Sequence, residues 1–317
     1  MNGLNIISMG YALPEKVVTN DDLSKIMDTN DEWISSRTGI KQRRYCVEET
    51  CTTLAVEAAT KALNKAEKEY GLDKNEIGTV VVATTTAEDA FPNTACQVQK
   101  ALGLSKEVMS FDMGAACSGF VYGLNVCRGL LLAGQKKYAL LIGSEHLSRI
   151  MDFTDRGSCI LFGDGAAAAI IELSDKPFYH RAWSDGDTVD TALSCKGICY
   201  NDAKTKMNGT AVFKFAVRVL KQSVDAVLKD AGLTVDDVDY VVCHQANERI
   251  IDTVKKKYPG NEDKFFVNIT NYANTSAASI PLALCEMQEK GMLKEGMKIV
   301  VTGFGAGFTW SSALITI

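Results

Sequence analysis

Residues 54–83 read LAVEAATKALNKAEKEYGLDKNEIGTVVVA, and residues 215–244 read FAVRVLKQSVDAVLKDAGLTVDDVDYVVCH. The two stretches align without a gap at an offset of 161 (215 − 54). Gly71-Leu72 falls on Gly232-Leu233, and Val80-Val81 on Val241-Val242. Each copy has helical apolar spacing, a glycine at the helix end, a short acidic turn and an apolar strand. The match continues downstream with small offset changes. VMSFDMGAACSGFVYGL (108–124) pairs with FFVNITNYANTSAASIPLAL (265–284), KKYALLIG (136–143) with GMKIVVTGFG (296–305), and GDGAAAAII (163–171) with FTWSSALI (308–315). VMSFDM reads as a buried strand. Each half is predicted as strand–helix–strand–helix–strand–strand, an α/β unit whose sheet is covered by helices. The halves are residues 1–174 and 175–317, with the boundary near SDKPFYHRAWSDGD, where polar and turn residues cluster.

Composition narrows the function classes. The 317 residues carry a net charge of −5, so there is no global basic field and nucleic acid is not an expected partner. The opening MNGLNIISMGYALP has neither a basic start nor a long apolar run, and reads as a strand and turn. GLLLAG (129–134) is too short to span a bilayer and is followed by charge at Lys136, so no membrane partner is expected. The ten cysteines are scattered, often inside apolar runs, which suits reduced thiols in a cytoplasmic protein. Cys195 and Cys199 (CKGIC) have no second pair or nearby histidine to complete a zinc set, so no metal is expected.

A duplicated fold brings equivalent loops together between its halves, and the informative positions are those where the copies differ. Ala83 matches His244, and Cys117-Ser118-Gly119 matches Thr275-Ser276-Ala277. Cys117 lies in GAACSGF (114–120), between a strand and an apolar helix. Unpaired N–H groups at a helix start favour a thiolate, and small neighbours let a carbonyl approach the sulfur. His244, one of three histidines, ends a strand, and Asn274 sits on the approach to a helix beginning near Ser276. GFGAGFTW (303–310) offers backbone N–H groups to an oxyanion. Each feature alone has a plain structural explanation: a small core residue, a core histidine, a turn asparagine and a tight turn. Together they form a Cys–His–Asn set on matching loops.

At these residues the sequence resembles the 3-oxoacyl-acyl-carrier-protein synthase III family of the thiolase superfamily. The likeness is collinear through DTNDEWISSRTGI (28–40), AFPNTACQVQKALG (90–103), GAACSGF, TDRGSCILFGDGA (154–166), NGTAVFKFA (208–216), HQANERII (244–251), NTSAASIP (274–281) and GFGAGFTW. The resemblance implies a thiolase-like duplicated fold, with mixed five-stranded sheets in an α/β/α/β/α layering. It also implies initiation of type II fatty-acid synthesis. A short acyl group passes from acyl-CoA to Cys117, and malonyl-acyl carrier protein then loses carbon dioxide and condenses with it. His244 and Asn274 assist the decarboxylation, while the N–H groups of Cys117 and Ala306 form an oxyanion hole. Coenzyme A is held by Trp33, Arg37, Arg156, Asn247 and Arg249. The acyl pocket contains Phe91, Leu147, Phe162 and Phe304, with Phe91 reaching into a homodimer partner. Lys214, Arg249, Lys255, Lys256 and Lys257 dock the acidic carrier protein. No cofactor is implied beyond the acyl-CoA substrate.

Some positions depart from the family pattern. Ala273 and Ala306 stand where glycine is usual, and an alanine at Ala306 is strained by about 1 kcal/mol if that site needs positive φ. The stretch 187–206 is unlike the usual acyl-pocket segment. Neighbouring families fit less well. A thiolase needs a second cysteine in the C-terminal glycine loop, a hydroxymethylglutaryl-CoA synthase a glutamate where Thr85 stands, and a chalcone-synthase-like enzyme a GFGPG loop. A condensing enzyme of a specialised pathway and a catalytically silent acyl-binding protein are the remaining alternatives.

Overall fold

The computed structural model describes residues 3–134, 136–186, 193–195 and 204–317. Most of the stretch 187–206, including Cys199, lies outside them. Two five-stranded sheets share one strand order. The first runs Gly3–Ala12, Gly165–Ser174, Tyr138–Glu145, Ile77–Ala83, Met109–Met113. The second runs Tyr179–Ser184, Thr309–Thr316, Lys298–Gly305, Tyr240–Cys243, Phe265–Phe266. In each, the last three strands are parallel and the first two pairings antiparallel. The sheets are therefore mixed and topologically equivalent.

The repeat that opens the sequence supplies the outer helices, Cys51–Tyr70 and Gly209–Ala231. The first buries Ala55, Ala58, Ala59, Ala62 and Ala66, and the second buries Phe215, Val219, Leu220, Val224 and Val227, each along one stripe. Both end at a left-handed glycine, Gly71 (φ 63°) and Gly232 (φ 68°). The helices Gly119–Ala133 and Ser279–Glu289 lie between the two sheets and touch strands of both. This gives the α/β/α/β/α layering. It also explains why the segment Ala116–Ala133 is apolar enough to pass for a membrane span: half of it is buried in the protein core.

Three features differ from the repeat's prediction. VMSFDM does not form a buried strand. Met109–Met113 is the outer strand of its sheet and partly exposed along its whole length, with Met109 at 56%. Strand order, which hydropathy does not encode, puts it at the edge. Each half also holds more than the predicted pattern, since the first has a further helix at Thr94–Ala101 and the second at Glu248–Lys255. Finally, the first half carries a ribbon, Val17–Thr19 with Gln42–Arg44, enclosing the helix Asp31–Thr38. Buried Arg43 pins this insertion by donating to Asn20 Oδ1 (2.7 Å) and to the Ile160 carbonyl (2.9 Å). The insertion brings Trp33 and Arg37 to the rim of the site.

Candidate active site

The site lies where the two central helices begin. Each starts from a single 3-10 turn, Ala116–Ser118 before Gly119 and Ser276–Ala278 before Ser279. Each turn opens on a non-glycine residue with positive φ, Ala116 (44°) and Ser276 (50°). This shared geometry makes Ala277 the counterpart of Cys117. The sequence alignment set Cys117 opposite Thr275, two residues earlier, because it could not register the turns.

Cys117 is buried, at 8% exposure. Burial pushes its thiol up to about 12, and the charge of Glu145 adds to the rise. The pull of the helix start toward thiolate is outweighed by removal from water, so the thiol is protonated. The hairpin Lys298–Gly305 and Thr309–Thr316 presses against the cysteine turn. The hydroxyls of Ser118 and Thr309 meet at 2.8 Å, and each lies within bonding distance of the Ala115 carbonyl (2.7 and 2.9 Å). A side chain at Gly305 would place Cβ 2.7 Å from the Cys117 nitrogen, so only glycine permits this approach.

His244 follows the strand Tyr240–Cys243 and is held by its N–H on the Thr302 carbonyl (2.8 Å). Burial depresses its imidazole to about 3, so the ring is neutral. Its Nδ1 lies 2.6 Å from Ser279 Oγ, which also accepts from the Gln245 N–H at 3.4 Å. Among the described residues the Ser279 hydroxyl has no other acceptor, so it donates to Nδ1 and the ring proton rests on Nε2. Asn274 is fixed in a related way. Its Oδ1 accepts the Ser276 N–H (2.8 Å), which leaves the amide NH₂ to donate elsewhere. Its backbone bonds to Leu161 and Gly163.

Cys117, His244 and Asn274 line one cleft of about 830 Å³. Trp33, Arg37, Asn247, Arg249 and Lys214 line it too, as do Phe162 and Phe304. The guanidinium groups of Arg37 and Arg156 both lie over the Trp33 indole, at 4.9 and 5.0 Å from the ring centre, and Arg156 is tied to Asp28. Asn247 caps the helix Glu248–Lys255, accepting from the Arg249 N–H and donating to the Arg37 carbonyl.

Other residues singled out in the sequence sit elsewhere. Leu147 is buried in the cluster behind Phe162 and is not part of the cleft wall. Phe91 is 87% exposed and does not line this chain's own cleft. Ala306 is half-buried at the tip of the hairpin, and Gly305 forms the wall. Lys255 is paired with Asp252, and Lys255, Lys256 and Lys257 lie at the far end of a helix whose first turn borders the cleft. Phe213 and Val212, on the first turn of the helix Gly209–Ala231, also line the cleft. In the sequence they look like ordinary core-facing residues.

The glycine departures resolve in favour of one position. Ala306 does not adopt positive φ, and Gly307 beside it does, at 142°. The strain falls at Ala273, with φ 57° and ψ −158°, a region normally restricted to glycine. Ala273→Gly is expected to stabilise the fold by about 1 kcal/mol, the relief of strain exceeding the entropy that glycine adds to the unfolded chain. Urea denaturation checks this, and a lower midpoint for the variant would contradict it.

Comparison with known proteins decides the family. The model described as 3-oxoacyl-[acyl-carrier-protein (ACP)] synthase III matches residues 111–185, and that of its C-terminal part matches residues 228–317. The beta-ketoacyl-[acyl-carrier-protein] synthase III of Clostridium acetobutylicum is 46% identical, with 99% of both chains covered. That of Acholeplasma laidlawii is 44% identical, covering 99% of this chain and 98% of its own. The crystal structure of 3-oxoacyl-[acyl-carrier-protein] synthase III from Aquifex aeolicus superposes with a TM-score of 0.92 at 42% identity, covering 99% of this chain and all of that one. The chain belongs to the 3-oxoacyl-[acyl-carrier-protein] synthase III family. As a member of the synthase III family it has the thiolase-like fold and is a condensing acyltransferase. The specialised-pathway alternative is not favoured by these relatives.

Proposed function

We propose that the single cleft carries both half-reactions of this initiating condensing enzyme of fatty-acid synthesis. In the first, Cys117 Sγ takes a short acyl group from acyl-CoA. The N–H groups of Cys117 and Ala306 hold the oxyanion of the tetrahedral intermediate, at the contact between the cysteine turn and the glycine hairpin. In the second, malonyl-acyl carrier protein loses carbon dioxide, and His244 Nε2–H and the Asn274 NH₂ stabilise the enolate oxygen that forms. The carbanion then attacks the acyl-cysteine, releasing the 3-oxoacyl carrier protein and leaving Cys117 as a thiolate that takes up a proton from water. One observation carries this reading. In the cleft that Cys117 lines stand two neutral groups whose acceptor atoms are occupied by protein hydroxyl and amide donors, so both face the cleft as donors.

Coenzyme A enters past Trp33 and Arg156, whose indole and guanidinium suit a planar base, and Arg37, Asn247 and Arg249 lie along its phosphates and pantetheine. Asn247 acts here mainly as the helix cap that orients Arg249 and Arg37. Lys214 and Arg249 at the mouth, with Lys255, Lys256 and Lys257 beyond, form the docking face for an acidic carrier protein. Phe162 and Phe304 contact the acyl chain, with Leu147 behind Phe162. The exposed strand Met109–Met113 and Phe91 are the surface of a homodimer in which Phe91 enters the partner's acyl pocket. The halves 1–174 and 175–317 are the two structural units, and the cytoplasm is the compartment.

Trp33→Ala is expected to raise KM for acyl-CoA by about 10-fold or more with little change in kcat, because the ring binds a part of the substrate remote from the reacting carbon. Initial rates with a series of acyl-CoA primers and malonyl carrier protein measure this and test the function itself. Turnover with no short acyl-CoA would refute the reading, and a pure kcat loss in Trp33→Ala would refute the role of the ring.

A further inference from the structure

Away from the cleft, three metal-ligating side chains from three separate elements meet. Cys46 follows the ribbon strand Gln42–Arg44, His146 follows the strand Tyr138–Glu145, and Asp164 precedes the strand Gly165–Ser174. The Cys46 sulfur, a ring nitrogen of His146 and a carboxylate oxygen of Asp164 all lie within 4.8 Å of one another. None of the three residues lines the cleft. Asp164 is fully buried, and among the described residues no lysine or arginine pairs with it. A buried carboxylate is ordinarily paired with a cation or bound to a metal. Its Oδ2 accepts the Cys46 N–H (2.8 Å) and the Ser148 hydroxyl (2.6 Å), and its Oδ1 accepts the Ser148 N–H (2.8 Å). These donors fix the carboxylate and leave Oδ1 with a lone pair to spare, as the outer partners of a metal ligand do. The His146 ring has no hydrogen-bond partner among the described residues, while its backbone N–H is held on Thr86 Oγ1 (2.8 Å). Cys46 and His146 are only partly buried, so an ion can enter from solvent.

We propose that Cys46, His146 and Asp164 bind one zinc ion, which fastens the insertion to the core behind Asn274. A thiolate, an imidazole and a carboxylate are the donors zinc takes, whereas magnesium and calcium take oxygen alone. Bonds of about 2.0–2.3 Å in a tetrahedron put ligand atoms about 3.3–3.8 Å apart, so side-chain movements of about 1 Å close the set, and water fills the fourth position. The thiol proton leaves to solvent as the sulfur binds, and two negative ligands then match the charge of the ion. The place of the site gives it a structural role. The Asp164 N–H donates to the Arg44 carbonyl (2.9 Å), and the Gly163 N–H beside it donates to the Asn274 carbonyl (3.0 Å). One turn thus joins the ribbon to the loop of Asn274, and the ribbon encloses the helix that carries Trp33 and Arg37. The three ligands are far apart in the chain, beyond the reach of the spacing rule that set aside Cys195 and Cys199.

The test uses the full chain, stripped with a chelator and titrated with zinc chloride, with bound metal counted by plasma mass spectrometry. One zinc per chain is expected. Its affinity should fall by about 10²-fold or more in Cys46→Ser and in His146→Ala, and by about 10-fold in Ser148→Ala, which removes an outer partner of Asp164. Cobalt in place of zinc should give a sulfur-to-metal charge-transfer band that Cys46→Ser lacks. Lys25 and Lys41 are exposed on the insertion, and tryptic cleavage after them should slow by about 10-fold in the zinc-loaded protein and be insensitive to zinc in Cys46→Ser. Absence of bound zinc in the unmodified protein overturns the proposal, as does full zinc affinity in folded Cys46→Ser and His146→Ala. Unchanged cleavage of the zinc-loaded protein overturns the fastening role. Should Cys46→Ser fail to fold, judged by circular dichroism, His146→Ala decides by the same criteria. No acyl-CoA enters these measurements, so they stand or fall apart from the proposed catalysis.

Discussion

Cys117→Ala is expected to form no acyl adduct with any acyl-CoA and to lose overall condensation by roughly 10⁴-fold or more. The size follows from the arrangement of the cleft, where Cys117 is the only cysteine on the wall among the described residues. Five further cysteines, Cys51, Cys127, Cys159, Cys243 and Cys285, are buried away from it. Removing the sulfur leaves the other donors in place, because His244 hangs on Ser279 and Thr302, and Asn274 on Ser276 and Leu161. The variant should therefore still release carbon dioxide from malonyl carrier protein, uncoupled from condensation. Loss of decarboxylation together with acylation would mean that the two half-reactions are not divided as described here.

His244→Ala and Asn274→Ala should behave in the opposite way. Each should acylate Cys117 at close to the normal rate and lose about 10²–10³-fold in decarboxylation, the usual worth of one donor aimed at a developing oxyanion. Both donors are neutral, and the sign of the pH dependence follows from that. An imidazole that burial holds near 3 stays unprotonated throughout the range from pH 5 to 9. The decarboxylation step should therefore show no inflection near 6.5, the ordinary histidine value. An inflection there, abolished by His244→Ala, would show that the ring works as a charged acid. Measuring carbon dioxide release against pH with a pre-acylated enzyme separates the two cases.

The features legible in the sequence were those written as periodicity or as a reactive side chain. The helix–turn–strand repeat at 54–83 and 215–244 announced the duplication, since a 3.6-residue stripe followed by an apolar strand has few other solutions. Cys117 and His244 stood out as departures from that repeat, and Asn274 as a polar residue on the matching loop. Residues whose importance depends on what they touch stayed hidden. Ser279 and Ser276 look like fillers in SAAS until the turn brings them against His244 and Asn274. The edge position of Met109–Met113 is a matter of sheet order, to which its own apolar residues are blind. The run Lys255-Lys256-Lys257 was legible as charge, while its distance from the mouth was set by the length of the helix carrying it. The backbone also decided between Ala273 and Ala306. Both stand at glycine positions of the family pattern, and only Ala273 has the torsion that makes the alanine matter.

The central claim is that one thiol is loaded from acyl-CoA and then unloaded by decarboxylative condensation in the same cleft. A two-stage experiment on the unmodified enzyme tests it directly. The enzyme is mixed with acetyl-CoA, freed of excess and weighed intact by mass spectrometry. It is then chased with malonyl carrier protein while carbon dioxide is measured. The account predicts a gain of one acetyl group per chain, located on Cys117, and its loss in step with release of one carbon dioxide and one 3-oxoacyl carrier protein. No adduct with acetyl-CoA or any other short acyl-CoA would contradict it, as would an adduct on another residue or one that persists through the chase.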